Sequence, residues 1–193
     1  MTTHPPRLKL LPRKKYDGVN EYDPLIYYYL PIFGRMYRRR VELALGECRE
    51  GQRVLEVGFG AGVTFINLSE MFEEIHGIDL TANVEIIESV FEPMNLPLFL
   101  QKGDVLNIPY EKNYFDTVLL ISILEHLKAH ELEQTFNEVR RVLKPGGRIV
   151  TGEMWLDPDF VAPGRLRLLA DAARLRVVRQ AGSWFAYFGR LER

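Results

Sequence analysis

Three glycines at alternate positions, Gly58, Gly60 and Gly62, follow a β-branched, apolar run that is interrupted only by Glu56. Glycine at this spacing permits left-handed backbone angles and lets a ligand lie close to the main chain. A helix opening behind the turn aims its free N–H groups and positive dipole end over it, so the turn can hold a nucleotide. Asp79 lies 21 positions after Gly58 at the end of another apolar run, where a carboxylate can accept hydrogen bonds from two hydroxyls. Asp104 follows Gly103, and Glu125 stands next to His126 further on. A histidine can take up a proton near neutral pH, which makes His126 a candidate general base.

These residues need elements to hold them. Arg53 to Val57 reads as a buried strand and about Val63 to Met71 as the helix behind the turn. Ile75 to Leu80, Leu98 to Lys102, Phe115 to Ser122 and Leu143 to Val150 read as further strands, with a helix running to Val142. Gly164 to Arg174 reads as a helix, and Leu175 to Arg179 followed by Gly182 to Phe188 as two strands joined by a tight turn, with Trp184 and Tyr187 packing on the sheet. Asn113, Asp116 and Lys144 fall at strand entries and turns and are assigned no chemistry. In a parallel α/β sheet the ligand lies beyond the carboxyl ends of the strands, where strand order reverses, and the glycine turn sits there.

The stretch Val54-Leu55-Glu56-Val57-Gly58-Phe59-Gly60-Ala61-Gly62 resembles motif I of the class I S-adenosylmethionine-dependent methyltransferases, in a form similar to methyltransferase type 11. Four further landmarks follow in the family's order: Ile75-His76-Gly77-Ile78-Asp79-Leu80, Gly103-Asp104-Val105, Phe115 to Ser122, and Leu143-Lys144-Pro145-Gly146-Gly147. The resemblance implies a Rossmann-like sheet of seven strands in the order 3-2-1-4-5-7-6, only strand 7 antiparallel, and S-adenosylmethionine as the methyl donor. It implies that Gly58, Gly60 and Gly62 receive the donor's methionyl and ribose parts, Glu56 its ammonium, Asp79 both ribose hydroxyls and Leu80 the adenine face. Asp104 would accept from the adenine amino group, the Val105 N–H would meet a ring nitrogen, and the backbone near Ile121 and Ser122 would approach the amino end. Glu125 and His126 would stand at the rim of the active site. Each has a plainer reading: Glu56 as a strand-end carboxylate, Asp79 as the cap of a helix beginning near Ala82, Asp104 as a turn former, and Glu125-His126 as a helix cap or as orienting the donor. A nicotinamide-binding turn would require glycine where this chain has Val63.

At 193 residues the chain suits one domain with an extension: a loosely ordered basic arm over 1–21, a helical cover over 22–50 and a methyltransferase domain over 51–193. Cys48 is the only cysteine, which excludes an intramolecular disulfide and fits a reducing compartment. Met1 to Pro12 is broken by Pro5, Pro6 and Pro12 and does not read as a secretory signal, so the expectation is a cytoplasmic protein. No metal-ligand spacing is seen.

Charge is uneven: ten Lys/Arg against six acids over 1–50, eight against eighteen over 51–163, and seven against two over 164–193. Basic ends on an acidic centre can meet an anionic surface or pair within the fold. In the family, the segment before motif I often folds over the donor and supplies part of the acceptor pocket. Only Glu153 to Pro163 separates the fifth strand from the next helix, leaving little room for a lid there. Tyr22, Tyr27, Tyr28, Tyr29, Phe33 and Tyr37 are therefore the acceptor-side candidates. Their mixture with Arg38-Arg39-Arg40 also suits a membrane surface, and Tyr22-Asp23-Pro24 resembles the lead-in of lipid and quinone methyltransferases. The expected activity is methyl transfer to a small-molecule or lipid/quinone-like acceptor, with no specific nucleic acid partner. The alternative is an inactive binding module on the same fold.

Overall fold

The computed structural model describes residues 4–16, 18–19, 25–155, 157–183 and 186–193. Seven strands form one sheet: β1 (Gly51–Val57), β2 (Phe72–Asp79), β3 (Leu98–Lys102), β4 (Phe115–Ile121), β5 (Leu143–Met154), β6 (Arg176–Gly182) and β7 (Ala186–Glu192). Their order is β3-β2-β1-β4-β5-β7-β6, and β7 runs antiparallel to both of its neighbours. This is the expected topology.

Alternation along the strands divides the core into two layers. Leu55, Val118 and Leu120 face one side of the sheet, where α5 (Ala129–Val142) presents Leu132, Phe136 and Val139. That stripe recurs at helical spacing, and each such buried side chain contributes about 1.5–3 kcal/mol. Val54, Ile75 and Leu119 face the other side, against Ile87 and Phe91 of α4 (Val84–Phe91) and Phe65 and Leu68 of α3 (Phe65–Leu68). The cover consists of α1 (Ile26–Tyr29) and α2 (Phe33–Leu45), and the last helix, α6, spans Pro163–Ala172. Among the described residues no helix is long and apolar enough to cross a membrane.

Two local expectations are corrected and one plainer reading is excluded. The helix behind the glycine turn is four residues rather than nine, because the chain must reach β2 by Phe72, and tight turns ending in Met71 N–H to Leu68 O (2.9 Å) take it there. The C-terminal hairpin turns later than expected: Gly182 ends β6, and the Ser183 N–H donates to Ala186 O at 2.7 Å. The pairing of β7 with β5, from Arg148↔Glu192 to Met154↔Ala186, sets that register. Asn83 rather than Asp79 caps the next helix, its side chain accepting from the Ile86 N–H.

Much of the terminal basic charge is paired. Buried Glu47, just past α2, accepts from Arg179 (2.7 Å) and Arg190 (3.0 Å). The N-terminal segment is fastened by Leu8 N–H to Glu42 and Lys9 N–H to Asn67, and it buries Leu8, Tyr16 and Val19.

Candidate active site

A cavity of about 630 Å³ opens beyond the carboxyl ends of β1 and β4 and is roofed by the cover. One wall gathers Glu56, Gly58, Gly60, Asp79 and Leu80, then Asp104 and Val105, then Ile121 and Ser122. The facing wall carries Tyr28, Tyr37, Arg40, Glu125, His126 and Asp157. The nine residues of the first wall come from four different strand ends, and parallel pairing of β1 with β2 and β4 brings them together.

Asp79 organises the first wall. Its Oδ2 accepts from the Gly60 N–H (2.9 Å), while Oδ1 accepts from the N–H groups of Thr81 and Ala82 (both 2.8 Å). Gly58 and Gly60 adopt φ of +67° and +52°, which a side chain would strain. Gly62 also has positive φ but does not line the cavity; a Cβ there would meet the Phe65 ring at 2.5 Å, so its smallness serves packing. Glu56 is buried and accepts from the Thr64 hydroxyl. Asp104 is exposed and uses Oδ1 to close a turn on the Leu106 N–H (2.9 Å).

Leu80, 70% exposed, offers an apolar surface to this wall. A positive-φ backbone cradle, a ring-sized apolar contact and a strand-end carboxylate fit the methyl donor's sugar and base. Asp79 and Leu80 would hold these parts, with Gly58 and Gly60 allowing close approach.

On the facing wall, Glu125 and His126 lie in a short 3-10 turn after β4, with His126 exposed and Glu125 half-buried. They do not cap α5, which begins beyond Lys128, whose own N–H donates to Glu131 at 2.7 Å. Of the aromatic candidates, Tyr28 and Tyr37 line the cavity. Because α1 is a single turn, Tyr28 points inward while its neighbours point away. Tyr27 stacks on Tyr37 from outside (5.0 Å), and the Tyr29 hydroxyl donates to Leu11 O (2.6 Å). Phe33 is 58% exposed, outside the cavity, and Tyr22 and Trp184 lie outside the described residues.

Two residues are prominent that motif reasoning assigned no role. Arg40 was only one of three flanking arginines, yet it occupies the buried face of α2 with Val41 and Ala44. Its Nη1 donates to Ser122 Oγ, its Nη2 to the Tyr28 hydroxyl (3.0 Å), and its guanidinium lies 5.3 Å from the centre of the Tyr37 ring. Ser122 holds a φ of +53°, unusual for a residue with a side chain. Glu153, on β5, is 1% exposed with both carboxyl oxygens lacking a hydrogen-bond partner. Burial, reinforced by the neighbouring Glu125, pushes it up to about 11, so it is a neutral acid at pH 7. A charged residue on an otherwise apolar helix face was the one available signal for Arg40. For Glu153 there was none.

With this geometry in place, comparison with known proteins is informative. Residues 55–151 match the model of the methyltransferase domain family. The chain is 30% identical over 140 residues to a demethylmenaquinone methyltransferase of Staphylococcus aureus, covering 71% of this chain and 54% of that one. It is 30% identical over 108 residues to phosphoethanolamine N-methyltransferase 2 of Caenorhabditis elegans, covering 54% and 24%. It thus spans about half or less of these relatives. A solved S-adenosylmethionine-dependent methyltransferase from Aquifex aeolicus shares the fold, with a TM-score of 0.66 and 20% identity over 95% of this chain and 98% of that one. The chain belongs to the methyltransferase domain family, class I, whose methyl donor is S-adenosylmethionine.

Proposed function

We propose that this protein transfers a methyl group from S-adenosylmethionine to a lipid or quinone-like acceptor drawn from a membrane surface. The observation that carries the reading is an apolar patch on the cover. Ile26 (45% exposed), Tyr27 (42%), Ile32 (75%) and Phe33 (58%) fall within eight residues of one another, and Arg35 and Arg39 are exposed beside them. The same segment supplies Tyr28 and Tyr37 to the cavity wall, so a bilayer-bound cover would place the cavity against the acceptor's source. The relative that by its name acts on demethylmenaquinone supports this acceptor range.

The donor supplies an activated methyl on sulfur. The chain's work is to hold the acceptor in line with it and to exclude water, which alone lowers the barrier substantially. Tyr28, Tyr37, Glu125 and His126 line the same cavity; in this reading the two tyrosines would pack against the acceptor and Glu125 or His126 would take a proton leaving it.

The test is transfer of radiolabelled methyl from S-adenosylmethionine into extractable lipid, or into demethylmenaquinol, carried in anionic vesicles, with sedimentation measured in parallel. The double variant Ile32→Asp, Phe33→Asp should lower both vesicle binding and transfer at least tenfold while leaving S-adenosylhomocysteine binding unchanged. Absence of wild-type vesicle binding at low salt would refute the membrane reading.

A further inference from the structure

We propose that Arg40 is the oxyanion seat of the cavity: its guanidinium, fixed between Ser122 Oγ and the Tyr28 hydroxyl, receives a carboxylate or phosphate of a bound molecule. The inference rests on the reading of the cavity as the methyl-transfer site only for its choice of probes. Arg40 is 8% exposed and always charged, yet among the described residues no carboxylate lies within ion-pair distance of it. Its polar partners are two hydroxyls and its flat face lies over a ring, while Nε has no acceptor at all. Two of the five guanidinium N–H donors are therefore used, and a buried cation left in this state carries a large desolvation cost.

The nearby acids offset only part of that cost: Glu125 acts on Arg40 from a distance, by less than burial costs it, and makes no ion pair with it. Glu153 keeps its proton, and Glu125 lies beside it with Oε2 buried and without a partner. Asp157 and Glu125 make the wall around Arg40 negative, so an anion is not drawn in by a general positive field. It has to meet the planar fork itself, which suits carboxylate and phosphate oxygens. The hydroxyl partners fix the guanidinium's orientation from both ends.

Such an oxyanion has two sources, the α-carboxylate of the methyl donor or an anionic group on the acceptor, and calorimetry separates them. Binding of S-adenosylhomocysteine, of its decarboxylated analogue, and of benzoate and inorganic phosphate to the S-adenosylhomocysteine complex is measured in wild type, Arg40→Gln and Arg40→Lys. A loss of at least tenfold for S-adenosylhomocysteine in Arg40→Gln, with the decarboxylated analogue unaffected, assigns the seat to the donor's carboxylate. A tenfold loss confined to benzoate or phosphate assigns it to the acceptor. Arg40→Lys, which keeps the charge but not the fork, should retain the fold and still lose part of this affinity. Equal binding of all three oxyanions in wild type and a folded Arg40 variant overturns the proposal. Failure of wild type to bind either nucleoside would instead refute the methyl-transfer reading, and benzoate and phosphate titrated into the free protein would then decide the role of Arg40.

Discussion

Glu153→Gln should change how stability depends on pH, and by a calculable amount. The Glu153 carboxyl is nearly fully buried on β5 opposite Tyr187 of β7, with Glu125, Asp157 and the Arg40 guanidinium nearby. Burial first, then Glu125, raises it from 4.5 in the reference state to about 11. Below pH 4.5 the folded and unfolded chains both hold this proton, so the acid has no effect on pH dependence. Above that pH the unfolded chain releases the proton and the folded chain keeps it. Stability therefore falls as pH rises, by about 1.4 kcal/mol per pH unit for one proton.

Between pH 6 and 8 this amounts to about 2.7 kcal/mol. Glutamine has the same shape and no proton to lose, so the variant should gain that amount relative to wild type over the same interval. For a chain of this size the melting-temperature difference between variant and wild type should widen by about 5–11 °C from pH 6 to pH 8. Circular dichroism melts and urea titrations at pH 6, 7 and 8 supply the comparison; titrating groups remote from the site cancel in the difference, and Glu125→Gln alongside separates the contribution of the neighbouring acid. Parallel pH profiles for the two proteins would show that Glu153 is ionised in the fold and that the reasoning is wrong.

Three further outcomes are expected. Asp79→Ala should weaken S-adenosylhomocysteine binding at least tenfold by calorimetry; unchanged affinity would leave Asp79 only its bonds to Gly60, Thr81 and Ala82. Glu47→Gln leaves Arg179 and Arg190 without their shared carboxylate and should cost about 1–2 kcal/mol in urea unfolding, since Arg179 is largely solvated. A loss below 0.5 kcal/mol would mean that solvent already screens the pair. Gly62→Ala puts a Cβ at positive φ and 2.5 Å from Phe65, so it should cost about 2–4 kcal/mol. An unaltered melting temperature would show that the Phe65 ring yields freely.

The glycine turn was legible before any coordinates because it depends on local chemistry, and the strand order was legible only through the family resemblance. Glycines at 58 and 60 serve a backbone that takes positive φ there, whereas the bond from the Gly60 N–H to Asp79 needs β1 paired with β2. The seven strands were legible through period and punctuation. The length of α3 and the register of the last hairpin were not, since each depends on where a distant partner begins: β2 at Phe72, and β5 against β7.

The site divides in the same way. The wall that holds Asp79 follows motif positions singled out by the family resemblance, and all of them but Gly62 line the cavity. Only the tertiary structure selected Tyr28 and Tyr37 from a run of aromatics, because a one-turn helix exposes its neighbours by rotation. Only the fold placed Arg40 against Ser122, 82 positions away, and buried Glu153 beside Glu125. Burial and charge pairing are properties of contacts between elements far apart in the chain, and they decide whether an arginine is solvated or waiting for an anion, and whether a glutamate is an ion or an acid.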